Sequence, residues 1–335
     1  MTGSVSQELL LHIRSHESVD SILEQVQRAE GLGYRRVSMG EATGWNRVPI
    51  LTLIADRTDE IGLTNDVFSP YSRSPALLGQ TASILQQVSD GRYRLGLGTS
   101  SPALVENWHG ASFDQPLRRL RETIEIVRQV TAGDRLEYDG EIFELSGLHL
   151  EDPAPETPPP IDVAAIGPKT VELAGRFADG WVPQFFTPDG LRERLEDLER
   201  GQELGNRDGG AVRVSPILRC CAMDDRERAR DVARQQIAFV IGAYGPYYRK
   251  SLVRQGYGET AKALQDAWQE GERERMADLV PEDLLDSLVA AGTPADVKET
   301  YEQFATIEGV DAIRVGFFDS QPVENQLDTL ETLAQ

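Results

Sequence analysis

Strand-like and helix-like segments alternate along nearly the whole chain, and no other property of the sequence constrains the fold as tightly. Residues 7–13 (QELLLHI) read as a strand. Residues 19–32 follow with helical spacing, placing Ile22, Val26 and Ala29 on one face and Gly31 and Gly33 near the end. Strands at 34–39, 61–68 and 92–97 then alternate with helices at 48–57, 74–88 and 116–130. Ser74 before Pro75 is a strong helix start: the hydroxyl caps a free N–H, and proline needs none at the first helical position. The rhythm pauses at 135–148, where a turn at Asp139 and Gly140 between alternating residues signals a hairpin. It pauses again at 151–160 (EDPAPETPPP), an extended connector. It resumes with strands at 161–166, 180–182 and 211–223 and helices at 169–178, 189–204 and 226–243. A polar helical stretch at 244–283, a helix at 294–307, a last strand at 312–318 and a C-terminal helix complete it.

Eight strand candidates, most followed by a helix, imply a parallel sheet with right-handed crossovers. Eight such units close naturally into an α/β TIM barrel, (β/α)8. A doubly wound open sheet competes, but it usually has fewer units and a glycine-rich first turn. The first turn here, RSHESV after Ile13, has no glycine, and the Gly96 and Gly98 pair lacks the third glycine of a dinucleotide site. Residues 1–335 are therefore expected to form one barrel domain, with a hairpin and Pro-rich insertion at 132–160 and a helical insertion at 244–283.

Composition narrows the function. There are 55 acidic against 34 basic side chains, a formal net charge of −21. This argues against nucleic acid as the main partner and against an anionic membrane surface, since both need clustered positive charge. Lysine occurs only at Lys169, Lys250, Lys262 and Lys298, so nearly all the bases are arginine. Carboxylate excess with scarce lysine is the pattern of a protein kept soluble in concentrated salt, where self-repulsion is screened. The chain reads as a cytoplasmic protein of a salt-loving, haloarchaeal microbe; an acidic protein from a GC-rich genome is the alternative. Cys220 and Cys221 are adjacent and cannot pair without strain, which fits a reducing compartment. No basic-then-apolar leader pattern opens the sequence, and no apolar run reaches the roughly 18 residues of a membrane span.

In a barrel the reacting groups sit on the loops after the strands, so the strand list becomes a site list. The second strand ends at Met39, Gly40 and Glu41, and the third runs into Asp66, Val67, Phe68, Ser69, Pro70 and Tyr71. The fourth ends at Gly98, Thr99 and Ser100, the fifth at Ala165, Ile166, Gly167, Pro168 and Lys169, and the sixth at Trp181, Val182 and Pro183. After the fifth strand, free N–H groups at a helix start and a nearby lysine suit a phosphate; an ordinary turn with proline at the first helical position uses the same residues. Glu41 is a candidate general acid or base if Trp45 desolvates it and raises its pKa, and otherwise a helix-entry acid or salt-bridge partner. His109, beside Trp108, reads as loop packing over the mouth. Tyr244, Tyr247 and Tyr248 read as packing of the insertion, with a lid or subunit surface as the alternative. The four histidines show no metal-ligand spacing, and there is no G-x-S-x-G elbow or P-loop. A zinc enzyme, an α/β-hydrolase and a P-loop NTPase are disfavoured accordingly.

Several segments read together resemble one family. SPYSRSPALLGQTASILQQVSDGRYRLGLGTSSP is similar to the region from strand 3 to strand 4 of the bacterial-luciferase-like superfamily. WHGASFDQPLRRLRETIEIVRQV, PPIDVAAIGPKTVELAGRFADGWVP and GTPADVKETYEQFATIEGVDAIRVGF resemble its later segments in the same order. Around Pro70, Tyr71, Ser72, Arg73, Ser74 and Pro75 the chain resembles members that use coenzyme F420, an 8-hydroxy-5-deazaflavin, rather than FMN. The resemblance implies a non-prolyl cis peptide between Asp66 and Val67, with Val67 backing the deazaflavin ring. It implies Gly40, Phe68, Ser69, Gly98, Ala165 and Pro183 around the cofactor, its phosphate at Gly167, Pro168 and Lys169, and Thr99 and Ser100 near the ring or its ribityl chain. Arg47, Arg73 and Lys169 are then the candidate cations that admit a polyanion. Several members carry Asp-His after strand 2, where this chain has Gly40 and Glu41. That departure argues against sugar-phosphate and alcohol chemistries built on the histidine and leaves Glu41 to exchange a proton with substrate. The implied activity is an F420-dependent oxidoreductase, of the methylene-tetrahydropterin reductase type or acting on another electrophilic C=N, C=C or C=O group, metal-free and homodimeric. An FMN-dependent monooxygenase and a non-catalytic barrel are the alternatives.

Overall fold

The computed structural model describes residues 5–11, 18–206 and 212–334. The expected first turn, from His12 and Ile13 to Glu17, lies outside the described residues, as does Ala211 at the expected start of the seventh strand. β1 (Ser6–Leu11) leads to α1 (Val19–Gly31), β2 (Arg36–Met39), α2 (Arg47–Arg57), β3 (Gly62–Asn65), α3 (Pro75–Val88) and β4 (Tyr93–Leu97). A short α4 (Pro102–Asn107) and α5 (Pro116–Ala132) precede a hairpin of β5 (Glu137–Asp139) and β6 (Glu144–Ser146). Then come β7 (Ile161–Ala164), α6 (Pro168–Phe177), β8 (Gly180–Val182), α7 (Pro188–Leu204), β9 (Arg213–Val214) and β10 (Ile217–Ala222). The chain continues through α8 (Arg226–Ala243), α9 (Pro246–Arg254), α10 (Gly258–Glu270), α11 (Glu282–Leu288), β11 (Ala290–Gly292), α12 (Pro294–Ala305), β12 (Ala312–Gly316) and α13 (Val323–Leu333).

One local device recurs at the helix starts. Ser74, Ser101, Thr187 and Thr293 each stand before a proline, and each side chain accepts a backbone N–H three residues on. At α12 the Asp296 carboxylate returns a bond to the Thr293 N–H, closing a reciprocal cap. These caps set where each helix leaves its strand, and so where each loop at the mouth begins.

The large sheet has ten strands in the order β11-β10-β12-β1-β2-β3-β4-β7-β8-β9, and its ladders are parallel. It is a curled, barrel-like sheet rather than the unbroken ring of eight strands expected. The reason lies at Ser215 and Pro216. Proline has no N–H for a ladder, so the expected single strand breaks into β9, which pairs with β8, and β10, which pairs with β11 and β12. β11 and the short helices α4 and α11 were not anticipated. The hairpin also differs: its loop spans 140–143, and the Glu122 carboxylate holds it by accepting the N–H groups of Glu141, Ile142 and Phe143.

Strand alternation separates two interiors. Leu9, Val37, Leu63, Leu95, Val163 and Val315 face the helices and form the main apolar core. The opposite face carries charge. Arg314, fully buried, reaches Glu8 at 3.1 Å, Asp162 at 2.9 Å, and Asp66. Arg94 pairs with Asp162 at 2.5 Å, while Arg36 and Arg213 pair with Glu8 at 3.3 and 2.7 Å. Buried ions persist only when matched in this way, because each costs several kcal/mol to desolvate. A second apolar core joins Ile237, Ile241, Leu252 and Leu264 of α8–α10 to Phe185, Cys221 and Phe318 at the C-terminal ends of the strands. The 244–283 stretch therefore packs on one side of the mouth. Among the described residues, no helix is long and apolar enough to cross a membrane.

Candidate active site

Glu41 stands just beyond the end of β2. Arg73 grips it as a fork, with Nη1 2.5 Å from Oε1 and Nη2 3.0 Å from Oε2, and the Arg47 backbone N–H donates to Oε2 at 3.0 Å. Burial by itself pushes this carboxyl up, but the Arg73 and Arg47 bonds and charges outweigh it and hold the pKa below the usual range. Trp45 is 53% exposed and gives no cover. Glu41 is an anchored carboxylate, which corrects the expectation of a proton-exchanging group. Arg73 also lies 4.2 Å over the Phe68 ring. Arg47 is fully buried; its Nε donates to the Gly40 carbonyl at 2.9 Å, and both terminal nitrogens are buried with no hydrogen-bond partner. Such a guanidinium fits a ligand with electron-rich oxygens.

The Asp66–Val67 peptide is cis, as the resemblance implies. Asp66 turns its carboxylate into the sheet toward Arg314, with a side chain only 3% exposed, so it is not a cofactor contact. Val67 lies over the glycines of the next strand. A Cβ at Gly98 would sit 2.6 Å from Val67 Cγ2, and one at Gly96 would sit 1.8 Å from the Asn65 carbonyl oxygen. The two glycines admit the end of β3, and their spacing is a packing requirement. Asn65 locks the pair of strands, accepting from Tyr93 Oη at 2.5 Å and donating to the Gly96 carbonyl at 2.6 Å. Phe68 is buried, and the Ser69 hydroxyl accepts the Tyr71 N–H at 3.2 Å within its own turn.

After β7, Gly167 precedes α6, Pro168 is its first residue, and no side chain caps it. Backbone N–H groups therefore remain available for an anion. Lys169 does not join them. It is 76% exposed and pairs with Glu172 at 2.9 Å, three residues along the helix, which corrects its reading as a phosphate clamp. The Ala165 carbonyl accepts the Trp181 indole N–H at 3.0 Å, and the Pro183 carbonyl accepts the Ile217 N–H at 2.9 Å. Both residues thus hold the scaffold beneath the mouth. Thr99 and Ser100 are half-buried, Ser100 with a left-handed φ of +64°. Trp108 and His109 are exposed, not packed over the mouth.

Sequence reasoning missed the opposite rim. β10 turns Leu218 and Cys220 toward the helices, which places Arg219 on the inner face. Its Nη1 donates to the Phe317 carbonyl, its Nε is buried without a partner, and its guanidinium lies 5.8 Å over the Phe185 ring. Tyr248, at the start of α9, stands edge-on to Phe185 at 5.5 Å and accepts an N–H from Gln184 Nε2 at 2.6 Å. The only available signal was an arginine inside an otherwise apolar strand, ILRCCA.

Comparison with known proteins agrees with this layout. The family model described as luciferase-like monooxygenase matches residues 3–311. The chain is 31% identical over 265 residues to a 5,10-methylenetetrahydromethanopterin reductase of Archaeoglobus fulgidus, covering 78% of each. It is 34% identical over 234 residues to an F420-dependent hydroxymycolic acid dehydrogenase of Mycobacterium tuberculosis, covering 65% of this chain and 64% of that one. Its fold is similar to that of the coenzyme F420-dependent tetrahydromethanopterin reductase of Methanopyrus kandleri, with a TM-score of 0.82 at 21% identity over 99% of this chain and 98% of the other. With the matched region spanning the curled sheet from β1 almost to β12, the chain belongs to the luciferase-like monooxygenase family.

Proposed function

We propose that this protein is an F420-dependent oxidoreductase that exchanges a hydride between the deazaflavin and an organic substrate at the mouth of the sheet. The observation that carries the reading is the similarity, over most of the chain, to relatives named as a methylenetetrahydromethanopterin reductase and an F420-dependent dehydrogenase. The mouth has the parts the cofactor needs: an apolar backing at Val67, an uncapped helix start at Gly167 and the unpartnered donors of Arg47. When bound there, the deazaflavin supplies hydride chemistry at its C5. The chain's own residues supply position and a dry wall. Glu41 fixes Arg73 and the start of α2, Thr99 and Ser100 offer hydroxyls beside Gly98, and the insertion covers one side.

Titration of the purified protein with F420 and with FMN tests the reading, followed by loss of the oxidised deazaflavin's visible absorbance with candidate C=N, C=C and C=O substrates. Saturable F420 binding with little FMN binding is the expected result. Tight FMN binding without F420 binding, accompanied by oxygen consumption, would overturn it in favour of a monooxygenase. We further propose one domain spanning 1–335, a cytoplasmic homodimer and a life in concentrated salt. The apolar side chains that α2 and α3 expose, Leu53, Leu77, Ile84 and Val88, support the dimer, and sedimentation in molar KCl tests it.

A further inference from the structure

Four arginines on the inner face of the sheet, Arg36, Arg94, Arg213 and Arg314, each have a carboxylate within salt-bridge reach. Arg219 faces the same interior nearer the mouth, and among the described residues no carboxylate lies within salt-bridge reach of it. Asp319 acts on it only at longer range, and burial is the larger influence, lowering its pKa. Gly316, opposite it in register, has no side chain, which leaves room for the arginine stem. One nitrogen is held by the Phe317 carbonyl, while Nε is buried and unused.

The neighbours complete a recess rather than neutralise the charge. Tyr248 accepts its hydrogen bond from Gln184, so its own O–H is left to donate. Burial raises its pKa, which keeps that proton in place. Phe185 holds a left-handed φ of +57°, unusual for so bulky a residue. Gln255 secures this turn, donating to the Phe185 carbonyl at 3.2 Å and accepting the Thr187 N–H at 2.8 Å. An uncompensated cation and a phenolic donor over an aromatic floor are the chemistry of a carboxylate subsite.

We propose that Arg219 and Tyr248 form a subsite for a carboxylate on the organic substrate, so that this enzyme acts on organic acids. The proposal rests on the F420 reading for the reaction but not for the binding. Arg219 approaches the substrate from the insertion side, while the helix start at Gly167 serves the cofactor phosphate.

The test is calorimetric titration of the full chain, with and without F420, using benzoate and trans-cinnamate against benzamide and trans-cinnamamide. The wild type is expected to bind the acids at least tenfold more tightly than the amides. Arg219→Gln should erase that preference while leaving F420 affinity within about twofold. Tyr248→Phe, which keeps the cation, should weaken the acids severalfold yet retain the preference. Equal binding of acids and amides by the wild type, no saturable acid binding up to tens of millimolar, or a preference that survives in Arg219→Gln would each overturn the subsite. Loss of F420 affinity in Arg219→Gln with unchanged acid binding would assign Arg219 to the cofactor instead. Absence of F420 binding by the wild type refutes only the cofactor reading, because the acid preference is read equally without F420.

Discussion

Replacing Arg314 by Met removes the hub of the buried charges while keeping a side chain of similar length. The three acids do not suffer equally. Glu8 keeps Arg36 and Arg213, and Asp162 keeps Arg94. Asp66 loses its one hydrogen-bonded partner, and its Oδ2 already has none. The cost therefore concentrates on one stranded carboxylate. Removing one member of a buried pair costs about 3–5 kcal/mol, against a whole-domain stability of about 5–15 kcal/mol. Asp66→Asn in the Arg314→Met background replaces the stranded charge with an amide and should recover about 2 kcal/mol of that loss. Urea denaturation followed by circular dichroism at fixed KCl measures both, with the m-value checked for constancy. A loss below about 1 kcal/mol in Arg314→Met, or a double variant no more stable than the single one, refutes the argument.

Other outcomes follow from the same geometry. Gly98→Ala brings a Cβ to 2.6 Å from Val67 Cγ2; it should cost about 1–3 kcal/mol and weaken F420 binding tenfold or more, and unchanged affinity would show that Val67 does not back the ring. Because Arg73 and Arg47 hold the Glu41 pKa low, the pH profile of kcat/KM should contain no Glu41 limb between about pH 5 and 8; a limb there that vanishes in Glu41→Gln would contradict this. Burial alone raises the Asp162 carboxyl, but Arg94, Arg314 and Arg36 bring it down to about 2. Its stabilisation is thus complete above about pH 4 and lost as the pH falls through the folded value, so acid titration of the urea midpoint should decline across that window. With a net charge of −21, the urea midpoint should rise between low salt and molar KCl, and an unchanged midpoint would remove the case for a saline habitat.

What could be read in advance depended on how local the cause was. Arg226–Ala243 and Gly180–Val182 emerge with the expected bounds because capping, periodicity and flanking residues lie within the segments themselves. β11 escaped because Ala290, Ala291 and Gly292 alternate in nothing and are defined only by pairing with β10. Glu41 was placed correctly at a strand end, yet its chemistry was misjudged, because Arg73 arrives from 32 residues away. The outward turn of Lys169 was legible in principle from Glu172 one helical turn on. Arg219 was not, since the absence of a carboxylate around it is a property of five separate elements.

The charges buried inside the sheet also bear on how the strands find one another. Glu8, Arg36, Arg94, Asp162, Arg213 and Arg314 lie on six different strands, each flanked by residues that face the helices. Sliding any one strand by a single residue would carry its charge into the hydrocarbon layer and bring an aliphatic side chain into the ionic interior. Exchanging two strands would set like charges together. Alternation of leucine, valine and isoleucine alone is nearly the same on every strand and distinguishes them poorly. The ion pairs thus encode an address for each strand, and misalignment is penalised most heavily beneath the mouth that the cofactor and substrate must share.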